Sequence, residues 1–242
     1  MKKHLILAAL VGLVPTAALA HGENGHAADP ELHVNPNLKD CSIQFAPELT
    51  QEAFHRFVRE FGSVSAFKHM GAPLALGRGR AAVSLQGIAF TVDERSDAWN
   101  DTFHHPDATH ELGSDKKFPM LRASAGLTDA LDVGGFYAEN PTANYGWVGI
   151  EARYGWLRQN EAMPVSVAVR GAYTRTIRAD DLDLHAATLD VSVGRTFRGF
   201  LTPYVGVGSD AVLANERSGV VDLEQEAMDV PQPGQAVLDF QG

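Results

Sequence analysis

The chain has 242 residues, a formal net charge of -10 and a single cysteine, Cys41. An acidic balance argues against nucleic acid as a partner, because phosphate backbones are bound through Lys and Arg, and one cysteine excludes an internal disulfide. With 45% hydrophobic and 8% aromatic residues the composition is that of a folded protein, neither disordered nor built of membrane helices.

The first twenty residues, MKKHLILAALVGLVPTAALA, have the form of an export signal. Lys2 and Lys3 supply the positive region, Leu5–Val14 the apolar region, and Ala18-Leu19-Ala20 the small-residue cleavage site, with cleavage expected after Ala20. The apolar run is shorter than the about 20 residues a spanning helix needs. No later stretch is long and apolar enough either, so a membrane crossing by this chain requires a β-barrel.

Residues 21–37 are polar and rich in His, Gly and Pro, and read as a tether. In FAPELTQEAFHRFVREFGS, Ala53, Phe54, Phe57, Val58 and Phe61 recur at helical spacing. Pro47 suits a first turn and Gly62 a stop, which predicts an amphipathic helix over about 47–61. Its Phe54/Phe57/Phe61 stripe reads as a packing face, or more sharply as a face docking at the periplasmic mouth of a barrel.

From about Gly79 the apolar period becomes two, and strands are predicted at about Arg80–Val92, Pro119–Leu127, Ala130–Ala138, Tyr145–Leu157, Pro164–Thr176, Leu184–Phe197 and Thr202–Ala214. The longest of these exceed the usual globular strand of about 5–6 residues and cover the roughly 9–11 that a tilted transmembrane strand requires. A long polar connection follows the first strand, and only Thr128-Asp129 joins the second to the third.

Within Tyr145–Leu157, Val148, Ile150, Ala152, Tyr154 and Trp156 share one face, and Trp147, Gly149, Glu151, Arg153 and Gly155 the other. Such alternation fits a soluble barrel with an apolar interior or a membrane barrel with an apolar exterior. Two features favour the second. The polar faces carry mostly Gly, Ala, Ser and Thr with one or two charges per strand, as a crowded lumen demands. The aromatics Tyr145, Trp147, Trp156, Tyr173, Phe197 and Tyr204 lie near strand ends, where membrane girdles occur. This reading turns Arg122, Glu151, Arg153, Arg170, Asp190 and Asp210 into the lumen, as a network that closes it or as the lining of a selective pore.

The blocks FAPELTQEAFHRFVREFGSVSAFKHMGAP, HPDATHELGSDKKFP, ENPTANYGWVGIEARYGWLR and LTPYVGVGSD resemble a family of porin-like or small bacterial outer-membrane β-barrel proteins, over about Cys41 to Asp222. The resemblance implies an outer-membrane location and a barrel fold, with no assigned substrate or catalytic residue. The chain departs from it after SGVVDLEQEA, where the family continues with further strands. Seven strands are odd against the even number of single-chain bacterial barrels. The C-terminus therefore reads as truncated or frame-shifted, with Pro231–Gly242 irregular and two sheet edges left open.

Histidines are the sharpest chemical feature: His21, His26 and His33 in the tether, and His104, His105 and His110 beside Asp107 and Glu111 in the first long connection. Imidazole and carboxylate suit zinc or copper, but no spacing matches a metal signature, and His110-Glu111 lacks the second histidine of HExxH. GVGSDA lacks the third glycine of a dinucleotide loop, and no GxSxG occurs.

The expectation is an all-β protein, an antiparallel transmembrane β-barrel of at least seven strands with a short N-terminal helix. Residues 1–20 are the signal, 21–76 a periplasmic tether with the helix, and 77–242 the barrel. It is expected to be no enzyme, to use no cofactor or metal, and to serve a structural or passive-pore role. Its partners are outer-membrane lipid, lipopolysaccharide and the barrel-assembly machinery, with small polar solutes as possible cargo. The alternative is a soluble periplasmic ligand- or metal-binding β-barrel.

Overall fold

The computed structural model describes residues 41–66, 72–104, 115–140, 143–179, 181–218, 221, 223–224, 226–231 and 235–240. The signal segment, the tether histidines His21, His26 and His33, and His105, Asp107, His110 and Glu111 lie outside them. In chain order the elements are β1 (Cys41–Ile43), α1 (Gln51–Ser65), β2 (Ala81–Thr91), α2 (Asp97–Asn100), β3 (Phe103–His104), β4 (Asp115–Gly126), β5 (Leu131–Glu139), β6 (Ala143–Asn144), β7 (Gly146–Leu157), β8 (Ser166–Ile177), β9 (Leu182–Gly194), β10 (Leu201–Glu216), β11 (Glu226–Pro231) and β12 (Gln235–Phe240).

The protein is all-β. Seven long strands form one curled antiparallel sheet, a half-barrel in which each is hydrogen-bonded to its neighbour in the order β10-β9-β8-β7-β5-β4-β2. These are the seven strands expected from the period-two pattern, with ends shifted by a few residues. β1, β3 and β6 form a separate three-stranded sheet.

The C-terminal expectation is corrected. Residues 226–231 and 235–240 are not irregular: β11 pairs with one half of β10 and β12 with the other half, both antiparallel. Pro231 stands opposite Ser209 and Gln235 opposite Gly206. β11 and β12 together act as one interrupted eighth strand. Two prolines and a glycine in VPQPGQ hide it from a pattern search, since proline removes a ladder donor and is tolerated at a bulge or an edge. Seven antiparallel steps separate β2 from this eighth strand, so the two run in opposite directions. Among the described residues no ladder joins them, and the sheet remains open there.

The helix is also displaced. Thr50 is its N-cap, its hydroxyl accepting from Ala53 N at 3.2 Å, so Pro47 lies before the first turn. Gly62 does not stop it. It lies inside the helix at a close approach to the sheet: a Cβ there would meet Val212 Cγ1 at 2.8 Å. Phe54, Phe57, Val58 and Phe61 are all buried against the concave side of the sheet. They sit at the end that carries the long β2–β4 connection, away from the tight β4–β5 turn.

Three of the six aromatics expected to form girdles are instead interior. Tyr145, Trp147 and Tyr204 are buried, whereas Trp156, Tyr173 and Phe197 are exposed. Trp147 shares the concave face of β7 with Glu151, and stacks on Phe118 with ring centroids 4.9 Å apart.

Candidate functional site

The concave side of β7 reads Trp147, Gly149, Glu151, Arg153, Gly155, and each residue marks a different layer of the interior. At the Trp147 level lies an aromatic core. Phe61 packs on Trp147 and Tyr145 at 5.4 and 5.7 Å, and Phe57 on Trp99 at 5.1 Å. Two polar links tie the helix in: the Trp147 indole donates to Ser65 Oγ at 2.7 Å, and Trp99 Nε1 donates to Glu60 Oε2 at 2.6 Å. Gly149 leaves the space occupied by the Phe136 ring, whose nearest carbon would lie 2.1 Å from a Cβ.

Below it is an ionic layer that crosses five strands. Glu151 Oε1 accepts from Arg122 Nε at 2.6 Å, and Glu151 Oε2 from Arg170 Nε at 2.8 Å. Arg170 Nη1 continues to Asp190 Oδ2 at 2.6 Å. Register explains the assembly: Arg122 stands opposite Phe136, Glu151 one strand further opposite Gly134, and Arg170 opposite Asp190. The side chains of Glu151 and Arg170 are each 3% exposed, so both carboxylate oxygens and the guanidinium are satisfied by one another rather than by solvent. Glycine at 134 admits the carboxylate, since a Cβ there would lie 3.0 Å from Glu151 Oε1.

Arg153 belongs to the same face but to a second pair. Its Nη2 donates to Asp132 Oδ2 at 2.8 Å, and its Nη1 to the Ala72 carbonyl at 3.2 Å. Asp132 also accepts from Leu76 N through both oxygens, at 3.1 and 3.0 Å. Asp132 was not among the expected lumen charges; its signal was a carboxylate in phase with Phe136 on a short strand directly opposite Arg153. Asp210 is buried on the concave face of β10, opposite Thr188 and one strand beyond Asp190. The paired charges balance, with Arg122, Arg153 and Arg170 against Glu151, Asp132 and Asp190.

The segment 72–77 completes the filling. Ala72 and Pro73 are buried, and Pro73 lies against Gly194, where a Cβ would meet its Cδ at 2.9 Å. The chain then reaches the tight-turn end, where Gly79 N donates to Gly126 O at 3.0 Å, and enters β2. Residues 41–66 and 72–77 therefore occupy the hollow of the sheet from its aromatic end toward its turn end, where residues 78–80 are exposed.

The convex side is the reverse in character. Val83, Leu85, Leu121, Ile150, Tyr154, Trp156, Leu189 and Val207 are exposed, Ile150 and Trp156 each at 66%. Charged side chains on this side gather toward the long-connection end, where Arg175 pairs with Asp183, and Arg178 with Glu139. Arg195 lies at the other end, its guanidinium 4.9 Å from the Phe197 ring centroid.

Among the described residues no helix is long and apolar enough to cross a membrane, which says nothing of strands, and no group of three His, Cys, Asp or Glu is placed to hold a metal. No family model matches the chain, and neither a curated protein nor a solved structure matches it.

Proposed function

We propose that this chain is an outer-membrane β-barrel protein whose interior is filled by its own N-terminal region, with a structural role rather than that of an open pore. The supporting observation is the inverted polarity of the sheet. Large apolar side chains cover the convex face while the ion pairs are buried on the concave one. Water-soluble proteins rarely expose contiguous apolar patches beyond a few hundred Å², whereas lipid requires such a surface. β7 and β8 have 12 residues each. At about 3.3 Å per residue and a tilt of about 45° they rise roughly 28 Å, close to the about 30 Å hydrocarbon core.

In that setting the open edges of β2 and of the eighth strand need each other. An unpaired backbone group costs several kcal/mol in hydrocarbon, and the antiparallel sense of the two edges suits a seam between them.

The test is fractionation combined with spin labels placed singly at Ile150 and Val207. Recovery in detergent-soluble outer membrane is expected, with both labels relaxed by oxygen and shielded from a water-soluble relaxant. Recovery in the soluble periplasm, with water-accessible labels, would replace this reading by the soluble-barrel one.

A further inference from the structure

At the tight-turn end the hollow of the sheet opens into a groove of about 380 Å³, within the usual range for ligand pockets. Its charged lining is Arg78, Arg80, Arg158 and Asp129, three guanidinium groups against one carboxylate, a local surplus of two positive charges in a chain of formal charge -10. Asp129 is already engaged. Its Oδ1 accepts from Arg78 N at 3.3 Å, and its carbonyl accepts from Arg158. Arg78 and Arg80 make no side-chain ion pair among the described residues.

The backbone fixes where these side chains start. Gly77 and Gly79 have φ of 86° and 74°, a left-handed conformation that places Arg78 between two glycines. The turn is tied down by Arg80 N donating to Gly77 O at 3.2 Å and by the Gly79–Gly126 bond. Leu74, Leu76 and Leu157 supply apolar lining to the same groove.

We infer that this groove is a binding site for a phosphate monoester carrying a small apolar group. Arginine forks match phosphate oxygens two at a time, the surplus of two charges matches a phosphate dianion, and a cleft lined by one sign of charge concentrates the opposite sign. The leucine lining takes the ester's apolar substituent. The same chemistry is offered by a soluble ester and by a phosphatidic acid headgroup. The inference does not depend on which face of the sheet meets lipid.

The test uses the full chain in detergent, titrated with phenyl phosphate, with phenol as the uncharged control. Saturable binding of phenyl phosphate and none of phenol is expected. The double substitution Arg78→Gln/Arg80→Gln should weaken binding at least tenfold while leaving the circular dichroism spectrum unchanged, since neither side chain holds the fold. Arg78→Lys/Arg80→Lys keeps the charge but loses the forks, and should fall between the two. Competition by phosphatidic acid in nanodiscs assigns the site to a lipid headgroup, and lack of competition assigns it to soluble esters. Absence of saturable binding, or equal binding by the glutamine variant, overturns the site.

Discussion

Glu151 and Arg170 meet at 2.8 Å between adjacent strands, each side chain 3% exposed, and Glu151 gives its second oxygen to Arg122 on the other side. One carboxylate thus holds two guanidinium groups from strands β4 and β8 on either side of β5 and β7. A buried ion pair contributes little net stability against an apolar replacement of both partners, but removing one partner leaves an uncompensated charge.

Glu151→Leu should therefore destabilise the protein by about 3–5 kcal/mol. The combined change Glu151→Leu/Arg122→Leu/Arg170→Met/Asp190→Leu, which also removes the carboxylate that Arg170 holds, should recover much of that loss. Chemical denaturation of the three proteins in one detergent checks this. A single variant as stable as the parent would show that water reaches these guanidinium groups.

Gly62 lies where the helix touches β10. Alanine there gains up to about 1 kcal/mol of helix propensity but drives its Cβ into Val212, and overpacking costs about 1–3 kcal/mol. Gly62→Ala should be destabilising in the parent and stabilising on a Val212→Ala background. The sign change, read from a double-mutant cycle, is the expected outcome; the same sign in both backgrounds would place the helix elsewhere.

Ser65→Ala deprives the buried Trp147 indole of the hydroxyl that accepts from it at 2.7 Å. A buried donor left without its acceptor costs about 1–3 kcal/mol. Ser65→Thr keeps the hydroxyl and should retain more stability, with Trp147 fluorescence reporting the wetter surroundings in the alanine variant.

The proposed seam is tested with paired cysteines, one at Ser84 or Gln86 and one at Ala227, Met228 or Asp229, in a Cys41→Ser background. Oxidation in membranes should give an intrachain crosslink for at least one pair, and heat-modifiable migration on gels. Crosslinked dimers alone would mean that the edges pair between copies.

An interior occupied by residues 41–66 and 72–77 obstructs a conducting path through the proposed barrel. Planar-bilayer recording on the purified chain should show no stepwise conductance. Pro73→Gly, which loosens the segment packed against Gly194, is the variant in which intermittent conductance is expected.

Strands and faces were legible because alternation is a local property: Val148, Ile150 and Tyr154 against Glu151 and Arg153 can be read within one strand of period two. The same rule aligned Arg122, Arg170, Asp190 and Asp210 on one side. It could not tell which charge meets which. That depends on register between strands, which set Arg153 against Asp132 and left Glu151 to bridge Arg122 and Arg170. Asp132 escaped notice because its partners, Arg153 and the Leu76 amide, are 21 and 56 residues away.

Local chemistry along the chain therefore settled the strand pattern, the amphipathic helix and the polarity of the two faces. Tertiary structure decided what fills the hollow. The helix runs past Gly62 because glycine permits contact with Val212, and Trp147 turns from girdle to core because Phe61 and Phe118 cover it. The eighth strand, whose two parts are β11 and β12, exists only because β10 offers partners over residues 201–206 and 209–214. A weak strand former becomes a strand when a neighbour's unpaired amides and carbonyls supply the ladder, and that neighbour is invisible in the residues themselves.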